Sequence, residues 1–287
     1  MRKSTLLKIA VSPLVLGITM VGCTTTRPMT YAGASAPAKA PSPAEQAAKY
    51  AGEAEQTAMK GDFAGAMALA EKAVELSPRD VAYRTVLADL YMKNGRFLSA
   101  KMAYSDVLTL QPENNRARFN LALAQIALGE RLSATVQLDR LAETESAADL
   151  GLAYALAGNT ARAIAMLEPV ARSLDADARV RQNLALTYAL SGDWQRARTT
   201  AAQDLSPADL QGRMEEWAAF AQPQAERQQV ASLLGVTPVA DQGQPTRLAL
   251  APEPVAPVMQ AAAEVPATPI ETSVQAPVGY AAADVPV

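Results

Sequence analysis

Residue types that could do covalent or acid–base chemistry are few in this chain. Histidine is absent and there is one cysteine, Cys23, among 287 residues. The chain therefore lacks the commonest general base and metal ligand, and it cannot form an intramolecular disulfide or a multi-cysteine zinc site. No Ser/His/Asp set, glycine-rich phosphate loop or metal-ligand spacing is present, and we expect Glu215 and Glu216 to be solvated. We predict a protein that is not an enzyme and uses no cofactor or metal.

The neighbours of the one cysteine suit the attachment of a lipid. Arg2, Lys3 and Lys8 make the N-terminus positive, and residues 9–22 form an uncharged, mostly apolar run of 14 residues. That run is short for a transmembrane helix, which needs about 20 apolar residues. It ends in Met-Val-Gly directly before Cys23.

These features resemble a bacterial lipoprotein signal peptide with its lipobox, although Met20 stands where that family usually has leucine. The resemblance implies that residues 1–22 are removed and that Cys23 is lipidated as the mature N-terminus. Thr24, in place of an aspartate, implies sorting to the outer membrane, on its periplasmic face. Acyl chains supply about 0.8 kcal/mol of membrane affinity for each buried CH₂, so the anchor requires no protein span. The alternatives are a simple cleaved secretory signal and an uncleaved anchor.

A repeated pattern organises the middle of the chain. Glycine followed five residues later by alanine occurs five times, and successive glycines lie 34, 34, 29 and 34 residues apart. The pairs are Gly61/Ala66, Gly95/Ala100, Gly129/Ala134, Gly158/Ala163 and Gly192/Ala197. In residues 81–113, two amphipathic stretches flank the glycine, and neither can bury its apolar face alone. The period predicts stacked helical hairpins, with glycine ending the first helix and alanine where two helices cross closely.

Further residues recur at fixed distances from these glycines. Leu-Ala or Leu-Gly precedes four of them by eight and seven residues, and tyrosine precedes three of them by four residues, as Tyr91, Tyr154 and Tyr188. These positions resemble the tetratricopeptide (TPR) repeat, over residues 47 to 211. The resemblance implies an all-α fold: a TPR superhelical solenoid of about five helix-turn-helix repeats, with a weak first and a shortened third repeat. An ordinary helical bundle with chance periodicity is the alternative.

Segments outside the repeats differ in composition. Residues 23–45 are rich in Thr, Ala, Pro and Ser and predict a flexible tether, with Ser42 and Glu45 at the start of the first helix. We predict the solenoid over residues 46–235, ending in a capping pair of helices that covers its open end. Nine of the chain's nineteen prolines follow residue 236, so residues 236–287 predict a disordered tail, either a spacer or a partner-binding segment.

In TPR arrays the first helices of the repeats line a concave groove. Alignment on the turn glycines places nine residues there: Phe119, Asn120, Leu123, Ile126, Leu152, Leu156, Asn183, Leu186 and Leu190. A row of exposed leucines favours aggregation unless it is covered, so we expect a partner helix or strand in this groove. Asn120 and Asn183 resemble an asparagine that holds the backbone of a bound peptide in some TPR proteins. The alternative is that some of the leucines belong to the core.

Charge and segment order narrow the expected partner to a protein. The net charge of -3 and the absence of a basic face argue against nucleic acid. The order of lipobox, tether, repeats and a WAAFAQP…QQVASLLGV segment resembles the Flp (tight-adherence) pilus assembly proteins of the TadD family. That resemblance implies an outer-membrane-anchored scaffold that helps a secretin or another pilus-export component to assemble. The alternatives are a general scaffold for cell-envelope or peptidoglycan machinery and an accessory subunit of an enzyme.

Overall fold

The computed structural model describes residues 40–174, 176–222 and 225–251, and this part of the chain is helical, with no strand among those residues. Its helices are α1 Pro43–Met59, α2 Phe63–Leu76, α3 Val81–Lys93, α4 Phe97–Leu110, α5 Asn115–Ala127, α6 Arg131–Asp139, α7 Ala147–Leu156, α8 Thr160–Ala171, α9 Ala178–Leu190, α10 Trp194–Ala201, α11 Pro207–Phe220 and α12 Glu226–Leu234, followed by a 3₁₀ turn, Thr246–Leu248. None of these helices is long and apolar enough to cross a membrane. The predicted signal peptide, Cys23 and the end of the predicted tail lie outside the described residues.

Helices α1 to α10 form five hairpins, numbered one to five in chain order, and each hairpin packs on the next. All five repeat glycines have positive φ, between 67° and 85°. All five repeat alanines are completely buried, because a larger side chain would separate the helices that cross there. The predicted all-α solenoid of five helix-turn-helix repeats is confirmed.

The first hairpin begins with the predicted cap. The Ser42 hydroxyl accepts a hydrogen bond from the Glu45 amide at 3.2 Å, and the Glu45 carboxylate accepts one from the Ser42 amide at 2.6 Å. These reciprocal bonds satisfy two of the amides that a helix start leaves without partners. Helix α1 therefore begins at Pro43, inside the segment predicted as tether.

Arginines brace three of the hairpins from the same repeat position, and two of them, Arg84 and Arg118, are buried. The Arg84 side chain is fully buried, donates to the Pro78 carbonyl and pairs with Asp106 at 2.7 Å. A buried charge requires such a partner to offset its desolvation. Arg118 likewise donates to the Pro112 carbonyl and to Gln137. Arg181 donates to the Ala176 carbonyl and to Asp204. Arg84 and Arg118 thus join the loop before a first helix to the second helix of the same hairpin, and Arg181 joins that loop to the turn that follows α10.

Helix α12 departs from the predicted capping pair. Helix α11 packs on α9 and α10, and its Leu210 and Trp217 are buried with the fifth hairpin, so α11 covers the end of the array as predicted. Helix α12 instead turns back and packs on α5 and α7. The prediction was wrong for α12 because its Val230 and Ala231 find a broad apolar surface on the earlier hairpins.

Residues 236–251, called the strap below, were predicted as part of the disordered tail, and the structure contradicts that prediction. The strap passes the Gly95 turn, where the Val239 amide donates to the Gly95 carbonyl at 3.3 Å. It then follows the second helices α2 and α4, where Leu248 is 1% exposed. Low hydrophobicity favours disorder only while a segment lacks contacts, and here the folded array supplies them.

We predict that Gly95→Ala destabilises the protein more than Gly192→Ala. Both glycines have positive φ, at 67° and 85°, and an alanine in that conformation costs roughly 1 kcal/mol. A Cβ at Gly95 would also lie 2.1 Å from the Thr237 carbonyl oxygen, whereas one at Gly192 has no heavy atom within 4 Å. The free energy of unfolding in urea should fall by about 1 kcal/mol more for Gly95→Ala. Equal losses would contradict the position of the strap.

Candidate partner-binding groove

The nine predicted groove residues lie on α5, α7 and α9, the first helices of hairpins three, four and five. The structure brings them together, because α7 contacts both α5 and α9. Ile126, Leu156 and Leu186 are buried, at 0%, 4% and 7% exposure. The other six are partly buried: Phe119, Asn120, Leu123, Leu152, Asn183 and Leu190. The expectation of a row of exposed leucines is therefore corrected, because none of the nine side chains is exposed.

Helix α12 covers part of this face. Val230 and Ala231, 1% and 2% exposed, belong to the same buried cluster as Ile126. Phe119 and Leu123 pack against that cluster from α5. At the N-terminal end of α12, the Glu226 carboxylate pairs with Arg131, the first residue of α6. The chain's own helix thus occupies the site at which we expected a partner.

An open cavity of about 510 Å³ lies beside α12, between α9, α11 and α12, and its lining includes one of the nine predicted residues, Leu186. Four large apolar side chains contribute to its lining: Leu186, Trp217, Phe220 and Leu233. Leu233 is 47% exposed. A concave apolar surface with a few polar residues at its edge has the character of a peptide or helix site.

The two asparagines already make hydrogen bonds between hairpins. The Asn120 amide donates to the Tyr104 hydroxyl at 3.2 Å and to the Asp89 carboxylate at 3.4 Å. The Asn183 amide donates to the Ala148 carbonyl at 3.2 Å. In this structure both side chains join neighbouring hairpins, and their role in holding a bound peptide stays a prediction.

A tyrosine latch, formed by one tyrosine, one acid and one arginine, recurs at three junctions between hairpins. Each tyrosine hydroxyl donates to an acid on the preceding hairpin: Tyr91 to Glu71, Tyr154 to Asp139 and Tyr188 to Glu168. An arginine covers each ring at 4.4 to 5.1 Å from its centroid, a favourable cation–π distance. Burial, followed by the hydrogen bond to Asp139, raises the pKa of Tyr154 to about 12. The Tyr154 hydroxyl therefore stays protonated and able to donate even at alkaline pH, where a free tyrosine begins to ionise.

The junction between hairpins two and three is built differently. Gln125 stands at the tyrosine position, and its Oε1 atom is buried without a hydrogen-bond partner among the described residues. Tyr104 donates to Asp89 at 2.6 Å, and Asp89 pairs with Arg116. The Tyr104 bond lies within hairpin two, and the Arg116 pair crosses to hairpin three, so this junction is joined without a tyrosine latch.

The strap is anchored where α4 lacks a cap of its own. The residue after the turn glycine caps the second helix in hairpins one, four and five, as Asp62, Asn159 and Asp193. In hairpin two this residue is Arg96, which makes no capping bond. Asp241 of the strap replaces the cap, because its carboxylate accepts from the Ser99 amide and hydroxyl, both at 2.7 Å.

The charge of Asp241 suits this position. Its side chain is 6% exposed and lies 3.3 Å from the Arg96 guanidinium. Burial alone raises the pKa of a carboxyl, but hydrogen bonds from Ser99 and Gly243 and the charge of Arg96 outweigh it and hold the pKa of Asp241 below its usual value. A carboxylate is also favoured at a helix N-terminus by the helix dipole.

Further contacts hold the rest of the strap. Gln244 donates to Asp106 at 2.9 Å, and Arg247 pairs with Glu71 at 3.0 Å and with Glu75 at 3.2 Å. Sequence reasoning missed this site. The signal that could have revealed it is Arg96. Hairpins one, four and five have a capping aspartate or asparagine at this position.

Comparison with protein families matches the description "Tetratricopeptide repeat" at residues 81–114, which covers hairpin two. That match agrees with the period and the hairpins, and the protein has a TPR-type fold. A search of the curated proteins gives no significant match.

Several solved structures are similar to this chain. A MamA protein has 23% identity and a TM-score of 0.47 and covers 61% of this chain and 94% of its own. YrrB, described as a TPR protein with an unusual peptide-binding site, has 20% identity and a TM-score of 0.47, with coverage of 59% and 92%. TTC0263, a thermophilic TPR protein of Thermus thermophilus, has 21% identity and a TM-score of 0.43, with coverage of 60% and 99%. Similarity at this level transfers no ligand or partner, so the fold assignment rests on the hairpins themselves.

We predict that Asp241→Asn destabilises the protein by about 1 kcal/mol at pH 7, the usual worth of a helix cap. Because the folded protein lowers the pKa of Asp241, its contribution is full above the ordinary aspartate pKa of about 3.9 and is lost as pH falls through the lowered value. Unfolding free energies measured from pH 7 to pH 3 should therefore converge for the two proteins at the acid end.

Glu55→Gln, which changes an exposed carboxylate on α1, serves as the control and should leave the stability nearly unchanged. A difference between Asp241→Asn and the unaltered protein that stays constant down to pH 3 would show that the ionised carboxylate does not cap α4.

Proposed function

We propose that this protein is a lipid-anchored periplasmic scaffold whose groove on α5, α7 and α9 binds a protein partner and assists assembly of a Flp-type pilus or secretion apparatus. The observation that carries the protein-binding role is that this groove already accepts a helix. Helix α12 buries Val230 and Ala231 against the array. Docking of an amphipathic helix into an apolar groove is a common mode of peptide recognition.

The open cavity supports the same role. It presents Leu186, Trp217 and Phe220 beside α12, and large apolar side chains at the centre of a concave surface carry much of the binding energy in protein interfaces. Its rim carries Arg213 and Glu216, which are charges of both signs. We infer a mainly apolar contact with a polar rim, as is usual at protein–protein interfaces.

The placement at the outer membrane and the role in pilus assembly rest on the sequence. Cys23 follows a lipobox-like segment, and Thr24 suits export to the outer membrane in Gram-negative lipoproteins. The order of anchor, tether, repeats and C-terminal segment supports the pilus apparatus over a general envelope scaffold. We propose no catalytic activity for this protein, because its sequence contains no histidine and only one cysteine.

We predict that a photo-crosslinking residue at Leu233 captures a protein of the pilus or secretion apparatus in the intact cell envelope. Leu233 lines the cavity and is partly exposed, so a partner in the groove would lie against it. The same residue placed at Leu132, which is 86% exposed on α6, is the control. Capture of the same proteins at both positions, or of peptidoglycan enzymes alone at Leu233, would contradict the proposal.

We predict that Cys23→Ser abolishes incorporation of labelled palmitate and moves the protein from the membrane fraction. The serine hydroxyl cannot replace the thiol in the lipidation reaction, and the anchor is lost with the acyl chains. In the matched variant Thr24→Asp the label should remain while the protein stays in the inner membrane. Unchanged labelling of Cys23→Ser would refute the lipoprotein assignment.

A further inference from the structure

We propose that residues 226–251, called the arm, are a removable occupant of the partner-binding surface, and that the partner presents an amphipathic helix longer than α12 that takes its place. The arm consists of α12 and the strap. This inference rests on the proposed function and specifies the kind of partner and the contacts that control its access.

Helix α12 depends on docking for its structure. It has nine residues and no side-chain cap at its N-terminus, and a helix of that length is unstable in water by itself. Gln229, Val230 and Ala231 are buried, while Leu233, which lines the cavity beside Gln229, is 47% exposed. An element of this kind loses its helix when it leaves the surface, so another helix can replace it without displacing a rigid body.

Helix α12 also leaves part of the groove unfilled. The cavity of about 510 Å³ lies between it and α9, with Leu186 and Phe220 in its lining. A helix that crossed α9 as well as α5 and α7 would bury these side chains, because apolar residues at i, i+3, i+4 and i+7 share one face. The partner that fits is therefore a longer helix with a continuous apolar stripe.

The positive charge of Arg131 favours an acidic residue at the N-terminal end of the partner helix. Arg131 pairs with Glu226 in the first turn of α12, where an acid is favoured by the helix dipole. A partner helix lying in the same direction would place an acidic residue of its own first turn against Arg131. This orients the expected partner: acid at the N-terminal end, apolar stripe over α5 and α7.

The strap holds the arm through three buried side chains. Asp241, Gln244 and Leu248 are 6%, 6% and 1% exposed, so water has little access to their contacts. The pairs of Arg247 with Glu71 and Glu75 are more open, since the Arg247 side chain is 50% exposed, and exposed ion pairs contribute little. The strap therefore fastens the arm to hairpins one and two and keeps α12 over hairpins three and four.

The experiment uses the full-length chain and a labelled synthetic peptide with the sequence of residues 225–251. Val230→Glu with Asp241→Ala in the chain releases its own arm and leaves the surface of the array unaltered. Fluorescence anisotropy should give an affinity for the peptide at least about tenfold higher with this variant than with the unaltered chain, because the covalently attached arm no longer competes.

Two controls are matched to this variant. Ser232→Glu with Asp62→Ala in the chain also adds an exposed acid to α12 and removes a helix cap, yet it touches neither buried contact of the arm. It should bind the peptide as weakly as the unaltered chain. A peptide carrying Val230→Glu should bind neither protein, and it tests the contact without changing the fold of the array.

Arm release has a readout of its own. Trp217 lines the cavity beside α12, and in a Trp194→Phe background it is the sole tryptophan. Its emission should shift to longer wavelength in the released variant because water reaches the ring. An unchanged emission, or equal peptide affinity for the released and unaltered chains, would overturn the inference that the arm is a removable occupant.

Crosslinking to the partner in the cell envelope distinguishes this inference from the proposed function. Crosslinking at Leu186 in the envelope should capture more partner with the released variant than with the unaltered chain. Equal capture by the two proteins would show that the arm does not compete with the partner, and it would still support the scaffold role. Absence of any captured envelope protein, together with the expected peptide binding, would support the removable arm and refute the proposed function.

Discussion

A single helical hairpin cannot bury the apolar surface on both of its flanks, and the structure depends on that constraint. Each hairpin covers one flank of its neighbour, with a completely buried alanine at every crossing. Surfaces remain at the end of the stack and along the first helices. Helix α11 covers the end, and α12 covers part of the first-helix face. The groove and the arm thus follow from the same requirement that produces the repeats.

Polar contacts between hairpins add specificity to this apolar stacking. The tyrosine latch joins hairpins one and two, three and four, and four and five. At the remaining junction Gln125 replaces the tyrosine. The arm crosses that junction, since α12 contacts hairpins three and four while the strap contacts hairpins one and two. The arm therefore adds contacts across the one junction without a tyrosine latch, where Arg116 and Asn120 of hairpin three also bind Asp89 of hairpin two.

Local sequence signals predict the hairpins well. They fail where contacts between residues far apart in the sequence determine the structure. Glycine and alanine spacing predicts each turn and each crossing, because both depend on residues within one hairpin. Asp241 and Ser99 are separated by 142 positions, and composition alone made that part of the chain look disordered. Ile126 was assigned to the groove but is fully buried, in one cluster with Val230 and Ala231 of α12, which lie far along the chain. The relation of groove to arm could not be predicted for the same reason, since it requires knowing where α12 returns.

The covered groove is the centre of the function that we propose. The array provides an apolar surface, and the arm shields part of it from water and from non-specific association. We propose that partner binding uses the surface that the arm occupies. Hydrogen exchange followed by mass spectrometry on the full-length protein tests this most directly. We expect the amides of residues 226–234 to be protected, but less than those of α5, because the arm opens without the array, and residues 236–251 to be protected near Gly95 and Ser99. Exchange of both segments at the rate of an unfolded chain, with α5 still protected, would contradict the account.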